Sequence, residues 1–330
     1  MSFTDFCVLT VSKDEAYTSR MRLVPACATC IAIVATTLTV ASSKDLWAQS
    51  REYRLVVTVL DSENSPVQGL KPVDFVVRED NVRREVLRVN HDTDPRQIAV
   101  LIDTSAAART AIVDFRSGVS AFIEAMAGEN EISIISFGGA PRILATSTRE
   151  LPRLKKGLGQ IFSYSTTASY LLDAMAETAN GFTKREASRP VMVILSTEGL
   201  DHSHVDSRKV LDQLKESGAA VYTVVLRDRG IGQPFSQRTF DTLNSGVLAR
   251  WKIERDLALN RGPLLSGGER RDLFTSTGTE PALYEIANEL LHQYLVVYSR
   301  PNTLIPPKNI EVSVTRNGLS VRGTPVKATR

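Results

Sequence analysis

Residues 97–103 have the sequence QIAVLID, in which every residue from Ile98 to Ile102 is apolar and the last residue is an aspartate. A continuous apolar run of this kind is typical of a strand that helices cover on both faces of a sheet. Asp103 then stands at the carboxyl end of that strand, which is where α/β sheets bind ligands. The stretch therefore predicts an α/β fold with a polar group at its ligand-binding edge.

On the carboxyl side of this strand the sequence alternates between strand and helix patterns. Strands are predicted at residues 132–137, 142–145, 191–195, 220–226 and near 273–274. Helices are predicted at residues 111–126, 149–160, 169–182, 205–216 and 282–292, and a loop followed by a helix is predicted between 228 and 265. Strands that alternate with helices predict a doubly wound, mostly parallel sheet.

The two flanks of this region, residues 52–92 and 294–326, contain strand patterns only. Strands are predicted from Arg54, at 74–78, at 85–89 and at 294–299, and a hairpin of 310–314 with 319–321 turns at Asn317-Gly318. Neither flank has enough strands to bury a core alone, so we expect both to meet in one accessory β module. The predicted organisation is a leader at 1–48, accessory strands at 49–95 and 293–330, and the α/β domain at 96–292.

The segment from Leu23 to Ala41 is apolar and uncharged and follows Arg20 and Arg22, which is typical of an export signal. Cleavage near residue 44 or 49 is expected, and an uncleaved membrane anchor is the alternative. Either Met1 or Met21 serves as the true start. These features predict an exported protein in the periplasm, at the cell surface or outside the cell.

Cysteine usage and charge narrow the function classes. All the cysteines lie in the leader (Cys7, Cys27 and Cys30), so the folded part has no thiol for catalysis or for a zinc–thiolate site. Lys and Arg number 40 against 37 Asp and Glu, a net charge of +3, and the basic residues are scattered. This distribution excludes a nucleic-acid footprint. The expected partner is a protein or extracellular-matrix component, and contact with a membrane is expected only through an uncleaved leader.

The loop after the first buried strand carries the most informative motif. Residues 103–107, Asp-Thr-Ser-Ala-Ala, resemble the Asp-x-Ser-x-Ser loop of von Willebrand factor A domains, whose carboxylate and two hydroxyls hold a divalent cation. Residues 130–137, 169–175 and 193–199 are similar to three further segments of that family, so the resemblance covers about residues 97–290. Residues 61–80 and 293–298 resemble the flanks of the VWFA-related proteins of Acidobacteria.

The resemblance implies a metal-ion-dependent adhesion site with a degenerate donor set. The candidate ligands for Mg²⁺ or Mn²⁺ are Asp103, Ser105, Thr167, Ser169 and Glu198, with Thr167 and Ser169 as alternatives for the loop hydroxyl. Ala107 replaces the second motif hydroxyl, and Glu198 replaces the strand-end aspartate. We therefore expect weak or absent cation binding. In the alternative interpretation, Asp103 and Ser105 only cap the helix that follows.

A second polar cluster, Asp201-His202-Ser203-His204-Val205-Asp206, follows Glu198 on the same edge. Two imidazoles and two carboxylates could bind a transition metal, but such a loop before a helix is more often solvated, with Asp206 or Ser203 as the N-cap. The chain lacks a Gly-x-Ser-x-Gly elbow, a phosphate-binding Gly-x-x-x-x-Gly-Lys loop and a His-Glu-x-x-His motif.

These observations favour a binding module without catalytic activity. Its binding surface is the strand-end rim, which we define as the loops 103–108, 163–169 and 198–206. The alternative is an unrecognised hydrolase that uses Glu198, Asp201, His202 and His204 on the same rim.

Overall fold

The structure, a computed structural model, describes residues 50–163, 167–227, 245–301 and 305–325. The strands of these residues are β1 (Ser50–Leu60), β2 (Phe75–Glu79), β3 (Val82–Arg84), β4 (Val86–His91), β5 (Gln97–Ile102), β6 (Glu131–Ser136), β7 (Arg142–Thr148), β8 (Pro190–Thr197), β9 (Ala220–Leu226), β10 (Arg270–Leu273), β11 (Tyr294–Pro301), β12 (Ile310–Val314) and β13 (Ser320–Pro325). The helices are α1 (Ile112–Met126), α2 (Leu151–Leu158), α3 (Leu171–Lys184), α4 (Ser207–Ser217), α5 (Ser245–Ser266) and α6 (Thr279–Leu291).

The central sheet has the strand order β10-β9-β8-β5-β6-β7, and within it β7 runs antiparallel to its neighbour β6. Its other pairings are parallel. Alternate residues of β5 enter different cores: Val100 packs with α1, α2 and α6 on one face, and Leu101 packs with α3, α4 and α5 on the other. The predicted doubly wound α/β fold is confirmed, because both faces of β5 are covered by helices as its apolar run indicates.

Helix α4 begins and ends at residues whose side chains and backbone favour those positions. The Asp206 carboxylate accepts a hydrogen bond of 2.9 Å from the backbone N–H of Lys209, which confirms Asp206 as the N-cap. Gly218 follows the helix with φ of 70°, and its N–H bonds the Leu214 carbonyl. This left-handed conformation favours glycine and stops the helix at the start of β9.

The two flanks meet, as predicted, in two antiparallel sheets. The larger sheet has the order β13-β1-β11-β4, with Tyr53 opposite Tyr298, and the smaller has the order β12-β2-β3. Between the sheets lies a third core, to which Leu55, Val57 and Val59 of β1 contribute from one face. Strands from both ends of the chain therefore share one core, since neither end supplies enough apolar surface alone.

The predicted hairpin at the carboxyl end is wrong in its pairing. β12 pairs with β2 and β13 pairs with β1, so the turn that contains Gly318, at φ of 77°, carries the chain from one sheet to the other. In this arrangement β12 and β13 each pair with the free edge of a different sheet. Both strands contribute apolar residues to the third core. The short strand β3 also escaped prediction, because Val82 is exposed and the strand has no buried face.

Buried polar side chains connect the accessory sheet with the α/β domain. The Glu289 carboxylate of α6 accepts hydrogen bonds from Thr58 of β1 at 3.0 Å, from Tyr222 of β9 at 2.7 Å and from Arg322 of β13 at 2.5 Å. The Asp92 carboxylate likewise accepts from Arg96 at 2.8 Å and from Arg189. These contacts join the sheets through groups that are costly to leave unpaired.

The predicted leader, with its apolar segment, lies outside the described residues. Within the described ranges, no helix combines the length and apolar character needed to cross a membrane.

Candidate functional site

The Asp103 carboxylate joins the ends of two neighbouring parallel strands. It is fully buried directly after β5, where its backbone N–H bonds the Leu195 carbonyl at 2.9 Å. One carboxylate oxygen accepts from the Ser105 N–H at 2.9 Å, and the other accepts from the Thr197 N–H at 3.1 Å and the Thr197 hydroxyl at 2.6 Å. The charge of Asp103 is thus stabilised by three donors at the carboxyl ends of β5 and β8.

Two serine hydroxyls at the same edge of the sheet are buried and unsatisfied among the described residues. The side-chain oxygens of Ser105 and Ser169 have no hydrogen-bond partner in the part of the chain that the structure describes, although each residue is only 2% exposed. Buried hydroxyls without partners are uncommon, and each one calls for a physical explanation.

The loops that carry these hydroxyls are fixed by backbone contacts. The Ala106 N–H bonds the Thr167 carbonyl at 3.0 Å, and the Ser169 N–H bonds the Leu200 carbonyl at 2.9 Å. Gly138 lies so close to the rim that a Cβ atom there would be 2.1 Å from the Thr104 carbonyl carbon. The structure therefore brings Asp103, Ser105, Thr167 and Ser169 to one edge. Residues 164–166 of the rim lie outside the described residues.

Ala107 contributes no side-chain oxygen to this edge. It lies in a short helical turn, Ala106–Ala108, against Gly199, where a Cβ on the glycine would be 2.7 Å from the Ala107 Cβ. The hard oxygen donors available here come from Asp103, Ser105, Thr167, Ser169 and Glu198, and oxygen ligands of this type suit Mg²⁺ or Mn²⁺.

Glu198 follows β8 and forms an ion pair with an arginine that sequence reasoning missed. Its Oε1 accepts from Nη1 of Arg227 at 2.7 Å, and the same guanidinium bonds Asp272 at 3.1 Å. The hydrogen bond to Glu198, followed by that to Asp272, raises the pKa of Arg227 above its ordinary value. Only the position of Arg227, directly after the neighbouring strand β9, could have indicated this contact in the sequence.

A second arginine, Arg255 of α5, lies beneath the same strand end. It is 3% exposed, and its Nη1 donates to the Thr197 carbonyl at 3.3 Å and to the Gly199 carbonyl. The backbone on both sides of Glu198 is thus held by a buried cation. Sequence reasoning missed this residue as well. An arginine in a helix pattern does not indicate which distant strand end its side chain contacts.

The carboxylates of the second polar cluster bind local groups. Asp201 accepts from the Ser203 N–H at 2.8 Å and from the Leu171 N–H at 3.1 Å, and burial raises its pKa above the ordinary value. His204 contacts Asp173 through Nδ1 at 2.8 Å. These contacts fix the chain at the N-terminal ends of α3 and α4.

His202 lies against Trp251 of α5, with ring centroids 4.6 Å apart, beside a cleft of about 450 Å³ that Asp201, His204 and Trp251 help to line. Within the described ranges, no group of three or more His, Cys, Asp or Glu side chains is arranged to hold a metal ion. The transition-metal interpretation of the 201–206 loop therefore has no support in these residues.

The comparisons with known proteins bear on the domain that carries this edge. The family model described as "von Willebrand factor type A domain" matches residues 98–200. This part of the chain, within its α/β fold, is therefore similar to von Willebrand factor A domains. The matched range includes the Asp103 motif, both buried serines and Glu198, and no curated protein matches the chain.

Solved structures with similarity to the chain include the following three proteins. "von Willebrand factor type A from Catenulispora acidiphila" is 10% identical, with 84% of this chain and 74% of that chain covered and a TM-score of 0.43. An aerotolerance-related membrane protein from Bacteroides fragilis is 14% identical, with 59% and 99% covered and a TM-score of 0.40. Proximal thread matrix protein 1 from the mussel byssus, with a "zinc occupied MIDAS motif", is 10% identical, with 61% and 50% covered and a TM-score of 0.43.

Proposed function

We propose that this protein is an exported binding module, without catalytic activity, whose A domain contacts a partner through the strand-end rim. A domains commonly mediate adhesion and protein binding. The observation that carries the proposal is the pair of buried hydroxyls of Ser105 and Ser169, which have no hydrogen-bond partner among the described residues and lie at the same strand-end edge as Asp103. Leaving such groups unpaired costs about 1–3 kcal/mol each, so their retention at one edge supports a binding role there.

Divalent cations contribute weakly or not at all to this binding in our proposal. Mg²⁺ requires near-octahedral oxygen geometry, and the donor set lacks one hydroxyl at Ala107. Glu198 directs a carboxylate oxygen to Arg227, and Asp103 already accepts three hydrogen bonds. The hydroxyls of Ser105 and Ser169 suit a cation, but the donor set as a whole does not make a complete site.

The partner class that we propose is a protein or an extracellular-matrix component. The apolar, uncharged segment from Leu23 to Ala41 supports export, and the absence of cysteine after residue 30 is compatible with an oxidising compartment. The net charge of +3 and the scattered basic residues do not favour nucleic acid.

The test is capture of partners by the tagged full chain from a cell-envelope extract, with and without EDTA. Ala107→Arg places a bulky charge on an exposed rim position, whereas the control Val82→Arg places the same side chain on an exposed position of β3. We expect capture that persists in EDTA, is lost in Ala107→Arg and is kept in Val82→Arg. Equal capture by both variants would contradict the proposed rim.

The hydrolase alternative is tested with the double variant His202→Ala/His204→Ala. A binding module has no turnover that depends on these side chains. Hydrolytic activity of the purified full chain that disappears in this variant would show that the protein is an enzyme and that our proposal is wrong.

A further inference from the structure

We infer that Arg227 is a built-in counter-ion that holds Glu198 and takes the place of a bound cation at this side of the rim. The inference rests on the proposed function and deepens it, because it assigns the weak cation dependence to a particular residue.

Strand register places the two side chains together. In the parallel pair β8–β9, Thr197 lies opposite Leu226, so the next residues, Glu198 and Arg227, leave the sheet side by side. Glu198 also directly follows Thr197, whose N–H and hydroxyl bond the Asp103 carboxylate. Glu198 is therefore close in the chain to the Asp103 edge while its carboxylate pairs with Arg227.

The neighbouring strand β10 holds Arg227 in place. The backbone N–H of Arg227 bonds the Leu273 carbonyl at 2.7 Å. Its Nε and Nη2 contact the two carboxylate oxygens of Asp272 at 3.1 and 3.3 Å. A guanidinium fixed in this fork geometry presents its remaining Nη1 in one direction, and that donor meets Glu198.

Arginines face the carboxylates of Glu198 and Asp272 at this side of the rim. Arg270 contacts Asp272 at 2.9 Å, so Glu198 and Asp272 face the two guanidinium groups of Arg227 and Arg270. Arg255 adds a further buried positive charge beneath residues 197–199. A divalent cation at Asp103 would therefore find the Glu198 carboxylate already paired with Arg227, and the positive charge of Arg255 behind the strand end.

The length of the residue-198 side chain fits this role. Glutamate has one methylene more than the aspartate found at the corresponding position of the family motif that residues 193–199 resemble, and this extra reach lets its Oε1 approach Arg227 to 2.7 Å. An aspartate at 198, shorter by one methylene, would withdraw its carboxylate from Arg227. Glu198, in place of the motif aspartate, and Arg227 thus function together as one ion pair.

The test measures Mn²⁺ and Mg²⁺ binding to the purified full chain by titration calorimetry, with Mn²⁺ paramagnetic resonance as a second readout. We expect wild type to bind in the millimolar range and Arg227→Met to bind Mn²⁺ at least about tenfold more tightly. Glu198→Asp, which withdraws the carboxylate from Arg227, gives the same gain. The double variant Arg227→Met/Asp103→Ala loses this gain in Mn²⁺ affinity.

Two controls separate the specific effect from a general change of charge. Arg227→Lys keeps the positive charge and leaves Mn²⁺ binding as in wild type. Arg271→Met removes a neighbouring arginine of β10 that pairs with Glu269 and Glu285, and also leaves binding unchanged.

The inference is overturned if folded Arg227→Met and Glu198→Asp bind Mn²⁺ no more tightly than wild type, or if wild type already binds in the low micromolar range. Should Arg227→Met fail to fold, Glu198→Asp decides alone, because it leaves Arg227 paired with Asp272. Failure here leaves partner capture at the rim intact, whereas equal capture by Ala107→Arg and Val82→Arg contradicts the binding function itself.

Discussion

The hydroxyl of Tyr222 donates a hydrogen bond of 2.7 Å to the buried carboxylate of Glu289. The same carboxylate binds Thr58 and Arg322 of the accessory sheet. Burial, then the charge and the hydrogen bond of Glu289, raise the pKa of Tyr222 well above its ordinary value, so the tyrosine stays a donor. One carboxylate of the α/β domain thus satisfies donors from strands at both ends of the chain.

The first prediction concerns this carboxylate. Glu289→Ala leaves the buried donors of Tyr222 and Thr58 without their acceptor and leaves Arg322 with Glu269 as its remaining ion-pair partner, and should lower the free energy of unfolding by about 3 kcal/mol. Urea denaturation measures it. Glu285→Ala on the same helix is the control, because Glu285 pairs with Arg271 at the surface and its loss should cost less than about 1 kcal/mol. Similar losses in both variants would show that Glu289 does not join the sheets.

The fold was predictable because its signals are local. The apolar run of β5 specifies a strand buried on both faces, and Val100 and Leu101 do enter opposite cores. The Asp206 side chain caps the start of α4, and the left-handed backbone of Gly218 ends it. The pairing of β12 and β13 depends instead on which open edge each strand meets, and no residue of the Asn317-Gly318 turn encodes that choice.

The candidate site was predictable only in part, for the same reason. Asp103, Ser105, Thr167 and Ser169 could be placed at one edge from their positions after strands and before helices. Arg227 and Arg255 could not, because their roles depend on the register of β9 against β8 and on the path of α5 beneath the strand ends. Such long-range contacts leave no periodic pattern in the sequence.

The second prediction concerns the close contact beneath the rim. Gly138→Ala would place a methyl group 2.1 Å from the Thr104 carbonyl carbon, and backbone cannot yield as a flexible side chain does. We expect a loss of about 3 kcal/mol in urea denaturation together with loss of partner capture. Gly159→Ala is the control, since its nearest neighbour would be the Lys156 carbonyl oxygen at an ordinary 3.4 Å. A fully stable Gly138→Ala protein would contradict this packing.

The third prediction concerns the pH dependence of stability. Burial raises the pKa of Asp201 in the folded protein, so between its unfolded and folded pKa values the folded state binds more protons than the unfolded state. The contribution of Asp201 to stability is therefore present at low pH and is lost as the pH rises through the folded pKa.

The variant Asp201→Asn removes this titration. Urea denaturation at several pH values from about 4 to 7 should show, in wild type, a contribution to the free energy of unfolding that falls as the pH rises. The variant lacks this contribution. Asp206→Asn, at an exposed N-cap, is the control and should keep this contribution. An unchanged pH profile in Asp201→Asn would show that Asp201 does not titrate in this range.

The last prediction concerns thermal stabilisation by Mg²⁺. A ligand that binds only the folded state adds RT ln(1 + [L]/Kd) to stability, so a millimolar site at a millimolar ion concentration adds about 0.4 kcal/mol. For a protein of this size that corresponds to a rise in Tm of about 1 °C. The built-in pairing of Glu198 with Arg227 and the missing hydroxyl at Ala107 keep the affinity in this range. Scanning calorimetry of the full chain in EDTA and in Mg²⁺ measures the difference, with Asp103→Ala as the reference that no rim-bound ion can stabilise. A rise of several degrees in wild type that is absent in Asp103→Ala would mean that the two buried serines and Asp103 suffice to hold the ion despite the arginine.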